Sequence, residues 1–171
     1  MPEDGIRGVM ENELASVGTA APDFELPALV GGVKKPVRLS AYRGQRNVVL
    51  AFYPCNWQEA SAKQLIGYQR ERSRLLATNA ETVAVTVDSI MNTTTWEREI
   101  GPFDFPICAD FWPHGGVCAR YGVLRASGLD AGASERAVFV IDRDGRIAFR
   151  KVYGSEEVPA MGEIFPLLEK L

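Results

Sequence analysis

Hydrophobic and polar positions along the chain follow two periods. From Asn47 to Tyr53 the apolar run Val-Val-Leu-Ala-Phe is unbroken, which predicts a strand buried on both faces, as in the middle of a parallel sheet. Thr82 to Val87 is β-branched and apolar and predicts a second core strand. Between them, Glu59 to Ala77 places Leu65, Tyr68, Leu75 and Leu76 at helical spacing, interrupted by Arg72. Asp88 or Ser89 caps a further helix from about Met91 to Ile100, which Gly101-Pro102 stops. Upstream, Phe24 and Leu26 alternate inside a Pro-bounded segment and predict a short strand. Gly31-Gly32 is a turn, and Val33 to Leu39 is a second, edge strand. Downstream, Phe105 to Ala109 is a short apolar run and Gly115 to Tyr121 one or two helical turns. Ala137 to Asp142 and Ile147 to Val152 flank Asp144-Gly145, the clearest hairpin signal in the chain. Pro159 to Leu171 is a closing helix that Pro166 shortens or kinks.

Strands alternating with helices and followed by an antiparallel pair give an α/β fold: a mixed central sheet with helices on both faces and an N-terminal β extension. Residues 17–171 read as one domain. Residues 1–16 are a leader, either helical through Ile6, Val9, Met10 and Leu14 or mobile.

The 171 residues, 46% of them hydrophobic, suit a domain with a sizeable core. A net charge of −3 without a basic stripe speaks against nucleic acid. No apolar run approaches the ~20 residues that span a bilayer, and residues 1–12 carry no charged-then-apolar signal pattern. The expectation is a cytoplasmic protein. An odd number of cysteines, three, fits a reducing compartment better than a disulfide framework.

The chemistry concentrates in Phe52 to Gln64, where a core strand passes through a tight loop into a helix. Backbone N–H groups converge there, and the helix dipole favours an anion or a thiolate. Cys55 opens this loop.

Four stretches together carry a resemblance that spans about Val17 to Leu171. They are Gly18-x-x-Ala21-Pro22-Asp23-Phe24-x-Leu26; Val48 to Pro54; Val87-Asp88-Ser89; and Ser134 to Gly145, with Arg136 near its start. In this order and spacing they resemble the peroxiredoxin family, also called alkyl hydroperoxide reductase/thiol-specific antioxidant. Ala109 to Pro113 with Tyr121-Gly122-Val123 is similar to its one-cysteine bacterial branch. The resemblance implies a thioredoxin-like fold and redox chemistry on peroxides. It also implies a homodimer and a thiol reductant, either a thioredoxin-like protein or a low-molecular-weight thiol. The family's active loop runs Pro-x-x-x-Thr/Ser-x-x-Cys, with Glu or Gln three residues later. Pro54 and Gln64 match it, and Arg136 matches the arginine that holds the thiolate and polarises the peroxide. Gln58 stands at the hydroxyl position and Ser61 at the peroxidatic cysteine.

A serine hydroxyl forms no sulfenic acid, so standard peroxidase chemistry is not expected at Ser61. It would act as an acyl or phosphoryl nucleophile only beside a general base. The sole histidine, His114, lies in a loop. Two functional classes follow. In the first, Cys55 is a displaced redox thiol, activated by Arg136 or the helix N-terminus, with Cys118 as a possible resolving thiol. In the second, the domain is repurposed and binds a small anionic or carbonyl ligand, or a partner, at a pocket of Gln58, Ser61, Gln64 and Arg136 with Pro54 and Trp57 beside it. Cys108 reads as an inert core residue, and Trp57 and Trp112 as packing or pocket-lining residues. Arg136 has a structural alternative, an ion pair with Glu135 or Asp142. No cofactor is implied, and nothing in the Cys and His spacing suggests a metal site.

Overall fold

The structure, a computed structural model, describes residues 13–171. Its strands are β1 (Glu25–Val30), β2 (Val33–Arg38), β3 (Asn47–Phe52), β4 (Ala80–Thr86), β5 (Ile107–Ala109), β6 (Arg136–Ile141) and β7 (Ile147–Tyr153). They form one sheet in the order β2-β1-β5-β4-β3-β6-β7. The continuous apolar runs occupy the centre: β3 pairs in parallel with β4, and β4 with β5. β6 is antiparallel to β3, and β7 to β6, as the hairpin signal predicts. β1 and β2 add an antiparallel pair at the far edge. The arrangement is thioredoxin-like.

The helices are α1 (Glu59–Arg70), α2 (Arg72–Ala77), α3 (Ile90–Ile100), α4 (Gly116–Tyr121) and α5 (Met161–Leu168). The single helix expected over 59–77 is divided at Glu71, immediately before the Arg72 that interrupts the apolar spacing. Arg72 is drawn aside to Glu81, 2.8 Å away. Ser89 caps α3, its hydroxyl accepting from the Asn92 N–H at 3.2 Å. The closing helix is shorter than expected and contains Pro166. Of the leader, residues 1–12 lie outside the described residues. Residues 13–16 form no regular element, and the Ala15 N–H donates to the Tyr121 carbonyl at 3.1 Å.

Alternation along β3 divides the core. Val48, Leu50 and Phe52 face one side with Phe139 of β6, Val117, Cys118 and Tyr121 of α4, and the N-terminal Phe24. Val49, Ala51 and Tyr53 face the other side with Leu65 and Tyr68 of α1, Trp96 of α3 and Ile164 and Phe165 of α5. On the first side Phe139 meets Phe52 edge-on at 5.7 Å and Tyr121 at 5.1 Å. Truncating Phe139 leaves a cavity in this aromatic cluster. Phe139→Ala is expected to cost about 3–5 kcal/mol, read as a lower denaturant midpoint at unchanged m-value.

Candidate active site

Parallel pairing of β3 and β4 puts the loops that follow them at one end of the sheet. The loop after β3, residues 53–58, is pinned by Asn56. The Tyr53 hydroxyl donates to Asn56 Oδ1 at 2.7 Å. Asn56 Nδ2 donates to Asn92 Oδ1 at 3.0 Å and Thr93 Oγ1 at 2.9 Å, and the Asn56 N–H donates to the Asp88 carboxylate at 2.6 Å. Trp57 takes a positive φ of 68°, a conformation that costs on the order of 1–3 kcal/mol for a residue with a Cβ. Its indole N–H, donated to Asn92 Oδ1 at 2.9 Å, helps hold it there. Trp57 and Trp112 are 50% and 82% exposed, so neither packs in the core.

The strained loop delivers the chain to α1. Ser61 lies in its first turn, and Gln64 and Tyr68 follow at helical spacing on the same face. Register brings Arg136 to them. Phe52 pairs with Ala137, so Arg136 stands where the loop leaves β3. Arg136 and Ser61 are both 0% exposed. One terminal nitrogen of Arg136, Nη1, donates to Ser61 Oγ at 3.1 Å and to Gln64 Oε1 at 2.7 Å. The other, Nη2, donates to Gln58 Oε1 at 3.4 Å and to the Ser155 carbonyl at 2.7 Å, which also accepts from Nε at 3.2 Å. Ser61 Oγ donates to Gln58 Oε1 at 3.3 Å, and Gln64 Nε2 donates to the Tyr68 hydroxyl at 3.0 Å.

Gln58, Ser61, Gln64 and Arg136 therefore converge, as the sequence pattern requires. The alternative of an ion pair does not hold: Glu135 pairs with Arg125 at 3.2 Å, and Asp142 accepts from its own turn. Among the described residues no carboxylate lies within ion-pair distance of Arg136. Every oxygen it touches is uncharged. Burial pulls the guanidinium down from its usual range, with Tyr68 and Cys55 acting the other way. Among the described residues the Ser61 hydroxyl meets only an amide oxygen and a guanidinium, neither of which is a general base. His114 is occupied with the Gly132 carbonyl at 2.7 Å.

The three thiols are free, and only Cys55 is partly exposed. Burial, then the Asp88 carboxylate, raises its pKa, while Arg136 and Arg125 pull it down without reversing the shift. Cys108 is pushed up to about 12 by burial and then Asp110. Cys118 is buried on the opposite side of the sheet from Tyr68, and burial with Asp110 holds it far above the ordinary thiol range. Pro54 is buried at the loop's start.

Outside Gln58 opens a cleft of about 570 Å³, lined in part by Lys63, Arg125, Ser155, Glu156 and Val158. Sequence reasoning missed several of these contributors. Ser155 acts through its carbonyl and has no side-chain signature. Arg125 and Asp130 pair across a loop at 3.1 Å without a motif. Tyr68 was legible only as a core position. Tyr153, opposite Arg136 in the β6–β7 ladder, is buried with its hydroxyl unpartnered. Among the described residues, no His, Cys, Asp and Glu cluster is placed to hold a metal.

The AhpC/TSA family profile matches residues 17–150. The chain belongs to the AhpC/TSA, or peroxiredoxin, family. Alkyl hydroperoxide reductase E of Mycobacterium tuberculosis is 32% identical over 145 residues, covering 85% of this chain and 90% of the relative. Peroxiredoxin-2 of Bos taurus is 34% identical over 137 residues, covering 77% and 66%. In structure, a reduced 2-Cys peroxiredoxin of Plasmodium vivax superposes with a TM-score of 0.83 at 23% identity, over 91% of this chain and 81% of the other. Mycobacterium tuberculosis AhpC gives 0.81 at 19% identity, over 92% and 93%. These two likenesses establish the peroxiredoxin fold.

In this peroxiredoxin-family site, Asp88 is the charge that acts most strongly on the Cys55 thiol, after burial. Asp88→Asn keeps an acceptor for the Asn56 N–H and removes the charge that disfavours a thiolate. Iodoacetamide labelling of Cys55 at pH 7, read by mass, is expected to be slower than that of a free thiol in wild type and several-fold faster in Asp88→Asn. Equal rates would show that Asp88 does not control it.

Proposed function

We propose that this peroxiredoxin-family chain uses its active-site frame as a receptor for a small anion rather than as a peroxidase at Ser61. One observation carries the reading: Arg136 is fully buried and all its acceptors are neutral. A guanidinium removed from water is costly without a counter-charge. An anion reaching it forms short, charge-assisted hydrogen bonds in a place where they are strong. A ligand at about ten times its Kd adds about 1.4 kcal/mol of stability, which raises the Tm of a chain this size by roughly 3–6 °C. Titration with formate and acetate is expected to show such a rise beyond sodium chloride at matched ionic strength. Arg136→Lys, which keeps the charge but loses the planar fork, is expected to abolish it. An unchanged response in that variant, or no response in wild type, would sink the reading.

A second reading rests on Cys55, the one partly exposed thiol. Its thiolate would attack a peroxide O–O bond, giving a sulfenic acid and water or an alcohol. Two equivalents of an external thiol would then return the sulfenic acid to the thiol, yielding a disulfide and water. Such a thiol oxidoreductase would work in a reducing, cytoplasmic setting. In either reading a homodimer is the expected assembly.

Ser61→Cys separates the two. If Ser61 occupies the peroxidatic position, the new thiol faces Arg136 at a helix start and ionises below the ordinary ~8.5. Peroxide consumption then appears in Ser61→Cys, with a one-oxygen adduct on residue 61. Consumption in wild type with an adduct on Cys55 would instead establish the second reading. Consumption by neither protein would remove Ser61 from the peroxidatic position.

A further inference from the structure

Gln58 stands between the cleft and the guanidinium. The residue is exposed, whereas Ser61 and Arg136, which meet its amide oxygen, are fully buried. Among the described residues, only this side chain and the Ser155 backbone supply acceptors to Arg136 Nη2. The Gln58 contacts are long, 3.3 Å from Ser61 and 3.4 Å from Arg136, against 2.7 Å for Gln64 and for the Ser155 carbonyl. At these lengths they are weak hydrogen bonds. Gln58 is also the N-cap of α1, yet its side chain makes no capping bond, so the helix does not hold it in place. A long side chain tied by weak bonds regains rotamer freedom on release.

We infer that Gln58 is an internal substitute for the ligand: its amide oxygen occupies the place of one oxygen of a small carboxylate. The inference rests on the anion-receptor reading above. On binding, Gln58 swings out, and the carboxylate oxygen accepts from Arg136 Nη2 and Ser61 Oγ. The exchange replaces a neutral acceptor with an anionic one beside a cation that has no ion pair among the described residues, which favours the incoming group. A planar amide fills the slot, so a planar carboxylate matches it. A tetrahedral phosphate would bring further oxygens into a space that holds one sp² centre. The body of the ligand then lies in the cleft beside Ser155 and Val158.

The test titrates sodium acetate and sodium phosphate, against sodium chloride at equal ionic strength, into wild type, Gln58→Ala and Gln58→Glu, read by calorimetry and Tm. Removing the competing oxygen is expected to tighten acetate binding about tenfold in Gln58→Ala. Gln58→Glu carries its own carboxylate and is expected to lose the acetate response and to melt higher than wild type. Pairing with Arg136 depresses the new carboxyl's folded pKa, so the gain is full above the unfolded value of about 4.3. It is lost as pH falls through the folded value. Acetate binding that is equally tight in wild type and Gln58→Ala would overturn the inference and leave the receptor reading standing. Absence of acetate and phosphate binding in both proteins would overturn both. Phosphate binding as tight as acetate would overturn the assignment to a carboxylate.

Discussion

A positive charge held out of water among neutral oxygens governs this site. Arg136 has five N–H groups, and each finds an acceptor, so its hydrogen bonding is complete. Among the described residues no carboxylate lies within ion-pair distance to compensate its charge. The two conditions differ: an unmade hydrogen bond costs about 1–3 kcal/mol, whereas a buried ion without a counter-ion costs several. Satisfying the donors limits the penalty enough for the fold to keep the residue there.

The fold holds that charge because most of its neighbours are rigid. Arg136 begins a strand hydrogen-bonded on both edges, to β3 and β7. Ser61 and Gln64 belong to a helix whose Leu65 and Tyr68 are locked into the core. Upstream, the Asn56 hub fixes a loop that includes a tryptophan at positive φ. Strain in that loop is maintained by packing elsewhere, as expected where geometry serves a site. The exception is Gln58, whose amide is tied only by long contacts.

How much of this was legible in the sequence depends on what each feature is made of. The central strands announced themselves through unbroken apolar runs, and the hairpin through Asp144-Gly145. Gln58, Ser61, Gln64 and Arg136 were legible because motif spacing fixes their order, and β3–β6 register turns that order into proximity. The break at Glu71 was legible only as Arg72 interrupting the spacing; the partner of Arg72, Glu81, lies on a strand that local spacing does not reveal. Ser155 left no trace, since a carbonyl carries no residue identity. The environment of Cys55 was equally hidden. Nearness to an arginine and a helix start suggested an activated thiol, but burial and Asp88, reached only through the β3–β4 pairing, act against it.

Reactivity and charge at position 61 are linked. A thiolate there would be both nucleophile and counter-ion for Arg136. A hydroxyl is neither, and among the described residues Arg136 has no carboxylate within ion-pair distance. The same logic accounts for Gln58. The Gln58 amide reaches the guanidinium and supplies a neutral oxygen. Gln58 and Ser61 therefore act on Arg136 together: both present neutral oxygens to the guanidinium, and the Gln58 amide oxygen also accepts from the Ser61 hydroxyl.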